Sequence, residues 1–147
     1  MPTALTSWIG PFQLRAYLEK TIDDDQVWPP DSGGVYVVSS LAWNGQPTKE
    51  DDVLYVGSST GKSDRFITRI GDLIADMLGF WGEQTGHHSG GIRLWEYCHE
   101  NRINPLDLFL GWQVERPCVR CGEYDLFITL APKLNRKRPA RCSVHLT

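Results

Sequence analysis

The chain lacks a long hydrophobic run: no apolar stretch approaches the roughly 18 residues that a membrane span requires. Its first ten residues have neither a basic start nor an apolar core, so we expect no secretory signal, no membrane partner and a cytoplasmic location. Internal repeats and low-complexity tracts are also absent. The 147 residues, of which 41% are hydrophobic, are typical of one globular domain.

The chain also lacks an excess of positive charge, because its formal net charge is −3, which is unusual for a protein that binds DNA on its own. Residues 1–60 carry three basic and eight acidic side chains, whereas residues 61–147 carry twelve basic and ten acidic ones. From residue 133 onward all charged side chains are basic: Lys133, Arg136, Lys137, Arg138 and Arg141. This tail either contacts a polyanion such as DNA or is a solvated tail that binds nothing.

Hydrophobic spacing predicts a small α/β sandwich, of the α+β type, with the element order α-β-β-α-α-β-α. Its sheet is expected to be three-stranded, mainly antiparallel and flanked by helices. The predicted strands cover 34–40, 52–57 and 106–115, and the predicted helices cover 11–22, 63–78, 91–101 and 120–130. We therefore expect an N-terminal helical extension over residues 1–32 and the main domain over residues 33–147.

The stretch 34–69 concentrates side chains that could bind a phosphate. Each of its two predicted strands carries one tyrosine, in Gly34-Val35-Tyr36 and in Tyr55-Val56-Gly57. Arg65 and Arg69 follow, and their spacing of four predicts that they share one face of a helix that begins near Ser63. Two phenols and a guanidinium are thus expected at one edge of the sheet. Arg binds two phosphate oxygens at once through its planar fork of donors.

This pattern resembles the GIY-YIG nuclease superfamily, with the two tripeptides in the place of its two signatures. Either tripeptide alone is weak, but the chain has further matches in the same order. These are Arg65, ten residues after the second tyrosine; the segment 88–94, His-Ser-Gly-Gly-Ile-Arg-Leu; Glu123 in a late helix; and Pro132-Lys133-Leu134-Asn135. The resemblance covers residues 33–135 and identifies residues 33–147 as the nuclease-like domain.

The resemblance implies a metal-dependent endonuclease that hydrolyses DNA phosphodiester bonds. Glu123 would hold one Mg²⁺ or Mn²⁺ ion, since a lone carboxylate suits a cation that keeps much of its hydration shell. Tyr36 would position or deprotonate the attacking water, Tyr55 would bond a phosphate oxygen, Arg65 would clamp the scissile phosphate, and Asn135 would hold the edge of the site. The DNA-binding residues are expected to be Lys62, Arg93, Lys133, Arg136, Lys137, Arg138 and Arg141.

Arg69 departs from the family pattern, because many members have a histidine at that place. If that histidine is the general base, this protein must use another group. The phenol of Tyr36, with an unperturbed pKa of about 10, would need a cationic neighbour such as Arg69 or Lys62. His88 is another candidate base, or it is only the residue before a helix that Ser89 caps. We expect Arg65 to contribute more to the cleavage rate than Arg69.

The cysteines predict a separate, structural zinc site. Cys118 and Cys121 form a Cys-x₂-Cys pair, and Cys142 and His145 form a Cys-x₂-His pair twenty residues later. This is the ligand count and spacing of a four-coordinate zinc site, which would tie the C-terminus to the start of the last helix. The alternative is ordinary thiols and imidazoles, with Cys121 buried. Disulfides are not expected in the cytosol.

Two other functions are compatible with the same residues. One is a nucleic-acid-binding module that kept the phosphate site but has little or no catalytic activity. Arg69, in the place of the family's histidine, is the residue that suggests it. The other is a zinc-stabilised protein-interaction domain. Taken singly, a strand tyrosine is usually core and a glutamate near a helix start is usually a cap. The joint presence of Tyr36, Tyr55, Arg65 and Glu123 favours the enzyme.

Overall fold

The computed structural model describes residues 8–19, 27–60, 65–80, 89–114, 118–136 and 138–139. Within them lies one antiparallel sheet of strand order β1-β4-β2-β3, formed by β1 (Ile9–Gln13), β2 (Gly34–Ser39), β3 (Val53–Ser59) and β4 (Phe109–Gln113). The helices are α1 (Leu14–Glu19), α2 (Phe66–Met77), α3 (Ser89–Glu100) and α4 (Val119–Leu130). The α+β class and the antiparallel sheet are thus confirmed.

The expected number of three strands is wrong, because β1 forms within and just before the segment predicted to be helical. Phe12 in β1 pairs with Leu110 in β4, and the helix begins only at Leu14. β1 is an edge strand, where a proline such as Pro11 is tolerated because the missing N–H need not face a neighbouring strand. Leu14 and Tyr17 of α1 are buried, so the helical spacing was correct from Leu14 to Glu19, and residues 20–22 lie outside the described ones.

The sheet is covered on both faces, since α2 and α3 pack on one side and α4 packs on the other. Successive side chains of the central strand β2 alternate between these layers. Tyr36 and Val38 belong to the core under α2 and α3, whereas Val35 and Val37 belong to the core under α4. This alternation buries all of β2 and leaves Tyr36 with 0% exposure.

The outer edge of β3 is covered by the chain that follows α4. After Ala131, whose φ is 47°, the backbone N–H groups of Lys133 and Leu134 donate to the carbonyls of Val53 and Leu54 at 3.2 and 2.8 Å. This segment protects the edge strand from pairing with another chain. It also brings residues 133–136 close to Tyr55 on β3.

A membrane-spanning helix is not present among the described residues, because none of their helices has the required length and apolar character.

Candidate functional site

Two neighbouring tyrosines, each packed against a glycine, form the floor of the site. The ring centroids of Tyr36 and Tyr55 lie 6.2 Å apart. Gly57 pairs with Tyr36 across the strands, and a Cβ atom there would lie 2.3 Å from the Tyr36 ring and hydroxyl. A Cβ atom on Gly90, in the first turn of α3, would likewise lie 2.3 Å from the Tyr55 ring. Both glycines are therefore needed for the phenols to occupy these positions.

A carboxylate from the opposite layer reaches the same edge of the sheet. Glu123 projects from the start of α4, and the hydroxyl of Ser58 in β3 donates a hydrogen bond of 2.8 Å to its Oε2 atom. Burial raises the pKa of the Glu123 carboxyl, while the Ser58 hydrogen bond and the positive charge of Arg69 lower it. The carboxylate is thus oriented by a fixed neighbour and lies next to a cation.

Arg69 interacts with three groups of the site. It forms a hydrogen bond with the phenol of Tyr36, and its charge also acts on Tyr55 and Glu123. Its buried Nε atom has no hydrogen-bond partner within the part of the chain that the structure describes. A buried guanidinium donor of this kind fits an anionic ligand, because such groups are normally paired.

Both phenols are held in the neutral form. Burial raises the pKa of Tyr36 well above its usual value, and the neighbouring Tyr55 raises it further, against the opposing effect of Arg69. Burial also raises the pKa of Tyr55, and the charges of Arg93 and Arg69 only partly offset this. A neutral phenol donates a hydrogen bond, so Tyr55, which reaches the surface, is suited to position a water or a phosphate oxygen rather than to accept a proton, whereas Tyr36 has no exposed surface.

Arg65 lies apart from this cluster. Its backbone is extended, with φ −84° and ψ 139°, and α2 begins at Phe66 rather than near Ser63. The prediction that Arg65 and Arg69 share one helix face is therefore wrong. The Nε atom of Arg65 donates to both carboxylate oxygens of Asp31, at 2.7 and 2.6 Å, and its side chain is 65% exposed. This pairing lowers the pKa of Asp31.

A basic cleft of about 420 Å³ opens beside Glu123. Its lining residues are Tyr55, Arg93, Glu123, Asn135, Arg136, Arg138 and Pro139. The guanidinium carbon of Arg93 lies 5.8 Å from the Tyr55 ring centroid, and its Nε donates to the carbonyl of Leu134 at 2.9 Å. Three guanidinium groups and one carboxylate thus share a cleft whose charge suits a phosphate backbone.

Asn135 fixes the wall of this cleft to the sheet. Its side-chain amide accepts from the backbone N–H of Val56 at 3.0 Å and donates to the carbonyl of Val56 at 2.8 Å. The amide thus satisfies both backbone groups of Val56, which follows Tyr55 on the edge strand. The neighbouring Lys133 forms an ion pair with Asp52.

The other predicted residues divide into two groups. Cys118 and Cys121 are partly buried at the start of α4, where Cys118 is the N-terminal cap residue. No group of three or more His, Cys, Asp or Glu side chains that could hold a metal occurs among the described residues. The following predicted residues lie outside them: Lys62, His88, Lys137, Arg141, Cys142 and His145.

Sequence reasoning missed Ser58, Gly90 and Asp31. The strand was predicted to end at Gly57, whereas β3 continues to Ser59. Extending the alternation by one residue would have directed Ser58, like Val56, toward α4. The Gly-Gly pair at the start of α3 was a usable signal of close approach, since helix interiors disfavour glycine. No local signal identified Asp31, because its pairing with Arg65 spans 34 positions.

No family model, curated protein or solved structure matches this chain. The relation to the GIY-YIG nuclease superfamily therefore stays a prediction from the motif residues.

Proposed function

We propose that this protein is a metal-dependent endonuclease that hydrolyses phosphodiester bonds in DNA. The observation that carries the proposal is that Glu123 and Tyr55 line the same basic cleft, while Arg69 and the buried Tyr36 interact with both of them. Glu123 comes from α4, whereas the other three groups come from β2, β3 and α2, which lie close together in the sequence. Such a convergence of an oriented carboxylate, a cation and hydrogen-bond donors fits the chemistry of phosphate hydrolysis.

The residues fit one Mg²⁺ or Mn²⁺ ion. Glu123 supplies a hard oxygen ligand, and the cleft beside it leaves room for water and phosphate oxygens to complete the coordination. Ser58 engages Oε2 of this carboxylate and so fixes its orientation. When bound, the ion would supply positive charge to the phosphate as it becomes more negative.

Arg69 takes the part that the family resemblance assigns to Arg65. Its position beside Tyr36 and Glu123 supports this, because a cation there can bind the phosphate that the carboxylate and its metal also face. Tyr55 would donate a hydrogen bond to a phosphate oxygen, whereas the fully buried Tyr36 would hold Tyr55 and Arg69 in place through its hydrogen bonds to them. The neighbouring phosphates would contact Arg93, Arg136 and Arg138. His88 stays a candidate general base.

A plasmid nicking assay tests the proposal. Supercoiled DNA is incubated with the purified protein in Mg²⁺ or in EDTA, and the relaxed and linear forms are quantified. We expect nicking by the wild type in Mg²⁺, none in EDTA, and none by Glu123→Ala in either. Equal nicking by the variant and the wild type would remove Glu123 from the proposed site.

A second candidate function is a nucleic-acid-binding module without catalytic turnover. It is favoured by the raised pKa of both phenols, which keeps them from accepting a proton, and by the cleft lining, in which Glu123 is the one carboxylate among the described residues. Arg93, Arg136 and Arg138 would still bind a phosphate backbone. This candidate predicts salt-dependent DNA binding with no nicking at any Mg²⁺ concentration.

We also propose a structural zinc ion held by Cys118, Cys121, Cys142 and His145. The support is the ligand spacing, together with the position of Cys118 and Cys121 in one turn at the start of α4. Zinc there would fix the helix that carries Glu123 and would leave no open position for catalysis. The same site would serve the third candidate, a zinc-stabilised protein-interaction domain, which predicts zinc but no DNA binding.

A further inference from the structure

A second cleft, of about 380 Å³, adjoins the basic cleft. The two clefts share three lining residues, Arg93, Asn135 and Arg136, so that they form one groove that passes over Arg93. We call the part next to Glu123 the inner cleft and the other part the outer cleft. The remaining residues that line the outer cleft are Glu96, Tyr97, Glu100, Lys133 and Leu134. Both volumes fall within the range of roughly 300–1,000 Å³ that is usual for ligand sites.

The outer cleft differs from the inner one in charge. Glu96 and Glu100 are exposed and lie four residues apart on α3, so they share one face of the helix. Lys133 in the same cleft is paired with Asp52 and also bonds the hydroxyl of Tyr97. Among the residues that line only the outer cleft, two carboxylates accompany one lysine that is already paired, so a phosphate is disfavoured beside them and binds instead at the shared Arg93 and Arg136. The two carboxylates make a good site for a group that donates hydrogen bonds.

We propose that the outer cleft binds an unpaired nucleobase next to the scissile phosphate, an inference that depends on the endonuclease function proposed above. Glu96 or Glu100 accepts a hydrogen bond from the exocyclic amino group of the base, as carboxylates do from cytosine N4. Tyr97 supplies an aromatic wall. A base with a carbonyl oxygen in place of the amino group binds less tightly, because the lone pairs of that oxygen face the carboxylates.

The size of the outer cleft suits a single unpaired base and so favours DNA that is not fully double-stranded. A base pair presents its amino group within the groove of a duplex, whereas a cleft of about 380 Å³ admits a single base that has left the stack. The strand that passes over Arg93 is therefore single-stranded or locally unpaired at this nucleotide. The preferred substrates are single strands, flaps or frayed ends, with an amino-bearing base at one defined position.

Binding of short oligonucleotides tests this inference without cleavage. Fluorescence anisotropy is measured in EDTA with a labelled deoxyuridine octamer and with eight versions that each carry one deoxycytidine. Cytosine and uracil differ at the amino or carbonyl group and the adjacent ring nitrogen, so the scan isolates the proposed contact. We expect one position at which deoxycytidine tightens binding about fivefold or more. We expect the double variant Glu96→Gln/Glu100→Gln to lose this preference but still to bind the uniform octamer.

The control is Glu19→Gln/Glu50→Gln, which removes the same charge from exposed residues that line neither cleft. It should keep the cytosine preference. Equal binding of all nine octamers by the wild type would overturn the base site and leave the endonuclease proposal standing. An unchanged preference in Glu96→Gln/Glu100→Gln would also overturn it. If no octamer and no plasmid DNA binds, both proposals fail.

Discussion

The hydroxyl of Ser58 donates a 2.8 Å hydrogen bond to Oε2 of Glu123 and so joins the edge strand β3 to helix α4. These two elements meet on one face of the sheet, whereas the tyrosines pack on the other. Because β3 is an edge strand, the Glu123 carboxylate and the Tyr55 phenol can line one cleft beside it. The site thus depends on the packing of α4 and of the segment that follows it against the edge strand β3.

Ser58→Ala should weaken the response to Mg²⁺ without unfolding the protein. The substitution frees Oε2 of Glu123 and loosens the orientation of the carboxylate, and losses of about 10- to 100-fold are usual for such supporting hydrogen bonds. Nicking rates measured across a Mg²⁺ series should show a higher half-saturating concentration. Ser58→Thr, which keeps the hydroxyl, should restore most of the response. Identical Mg²⁺ curves for Ser58→Ala and the wild type would exclude this role.

Arg69→Ala should reduce the cleavage rate far more than Arg65→Ala. Arg69 acts on Tyr36, Tyr55 and Glu123, whereas Arg65 is exposed and paired with Asp31. Loss of a cation that contacts the reacting phosphate costs about 100- to 1,000-fold in rate, whereas an exposed ion pair contributes little. Single-turnover rates of the two variants give the comparison directly. A larger loss in Arg65→Ala would mean that this side chain leaves Asp31 and enters the site with substrate.

Most of the fold could be predicted from the sequence, because β2, β3 and α2–α4 have clear local patterns. β1 could not, since its five residues are stabilised by pairing with β4 almost a hundred positions away. Phe12 and Leu14 are two residues apart, as in a strand, but the helical spacing of Leu14, Tyr17 and Leu18 led to a helix predicted over both. The pairing that decides between helix and strand is a tertiary contact.

The grouping of Tyr36, Tyr55 and Glu123 could be predicted from the sequence, but the arginine that accompanies them could not. The order of Tyr36, Tyr55 and Glu123 in the sequence indicated that they converge, and electrostatic coupling links the three. Which arginine accompanies them depends on the residue at which α2 begins. An extended Arg65 one residue before the helix points elsewhere than a helical one would. No spacing rule fixes a helix start to that accuracy.

Glu123→Gln should stabilise the metal-free protein at neutral pH. Burial raises the pKa of Glu123, so the folded state favours the protonated carboxyl, and the wild type loses stability as the pH rises through that raised pKa. The neutral amide does not ionise. In EDTA the variant should therefore melt at a higher temperature than the wild type at pH 7 and at nearly the same temperature below about pH 4, where both side chains are neutral. A difference in melting temperature that does not change with pH would contradict this origin.

The purified protein should carry about one equivalent of zinc per chain. Elemental analysis after exchange into metal-free buffer measures it, and Cys142→Ser should lose the zinc and lower the melting temperature, because binding free energy adds to stability. Cys98→Ser is the control for zinc content only: Cys98 is not a proposed ligand, but it is buried in α3, where a hydroxyl itself lowers the melting temperature. Less than about a tenth of an equivalent, with an unchanged melting temperature in Cys142→Ser, would make the spacing coincidental.

The most direct measurement is the single-turnover cleavage rate of one end-labelled DNA by the wild type, Glu123→Gln and Asp125→Asn at saturating Mg²⁺. Asp125 is exposed on the same helix and loses the same charge, so it controls for changes in net charge and in α4. We predict that Asp125→Asn cleaves at nearly the wild-type rate, whereas Glu123→Gln binds the DNA with similar affinity and does not cleave it. Cleavage by Glu123→Gln at the wild-type rate would contradict the proposed active site.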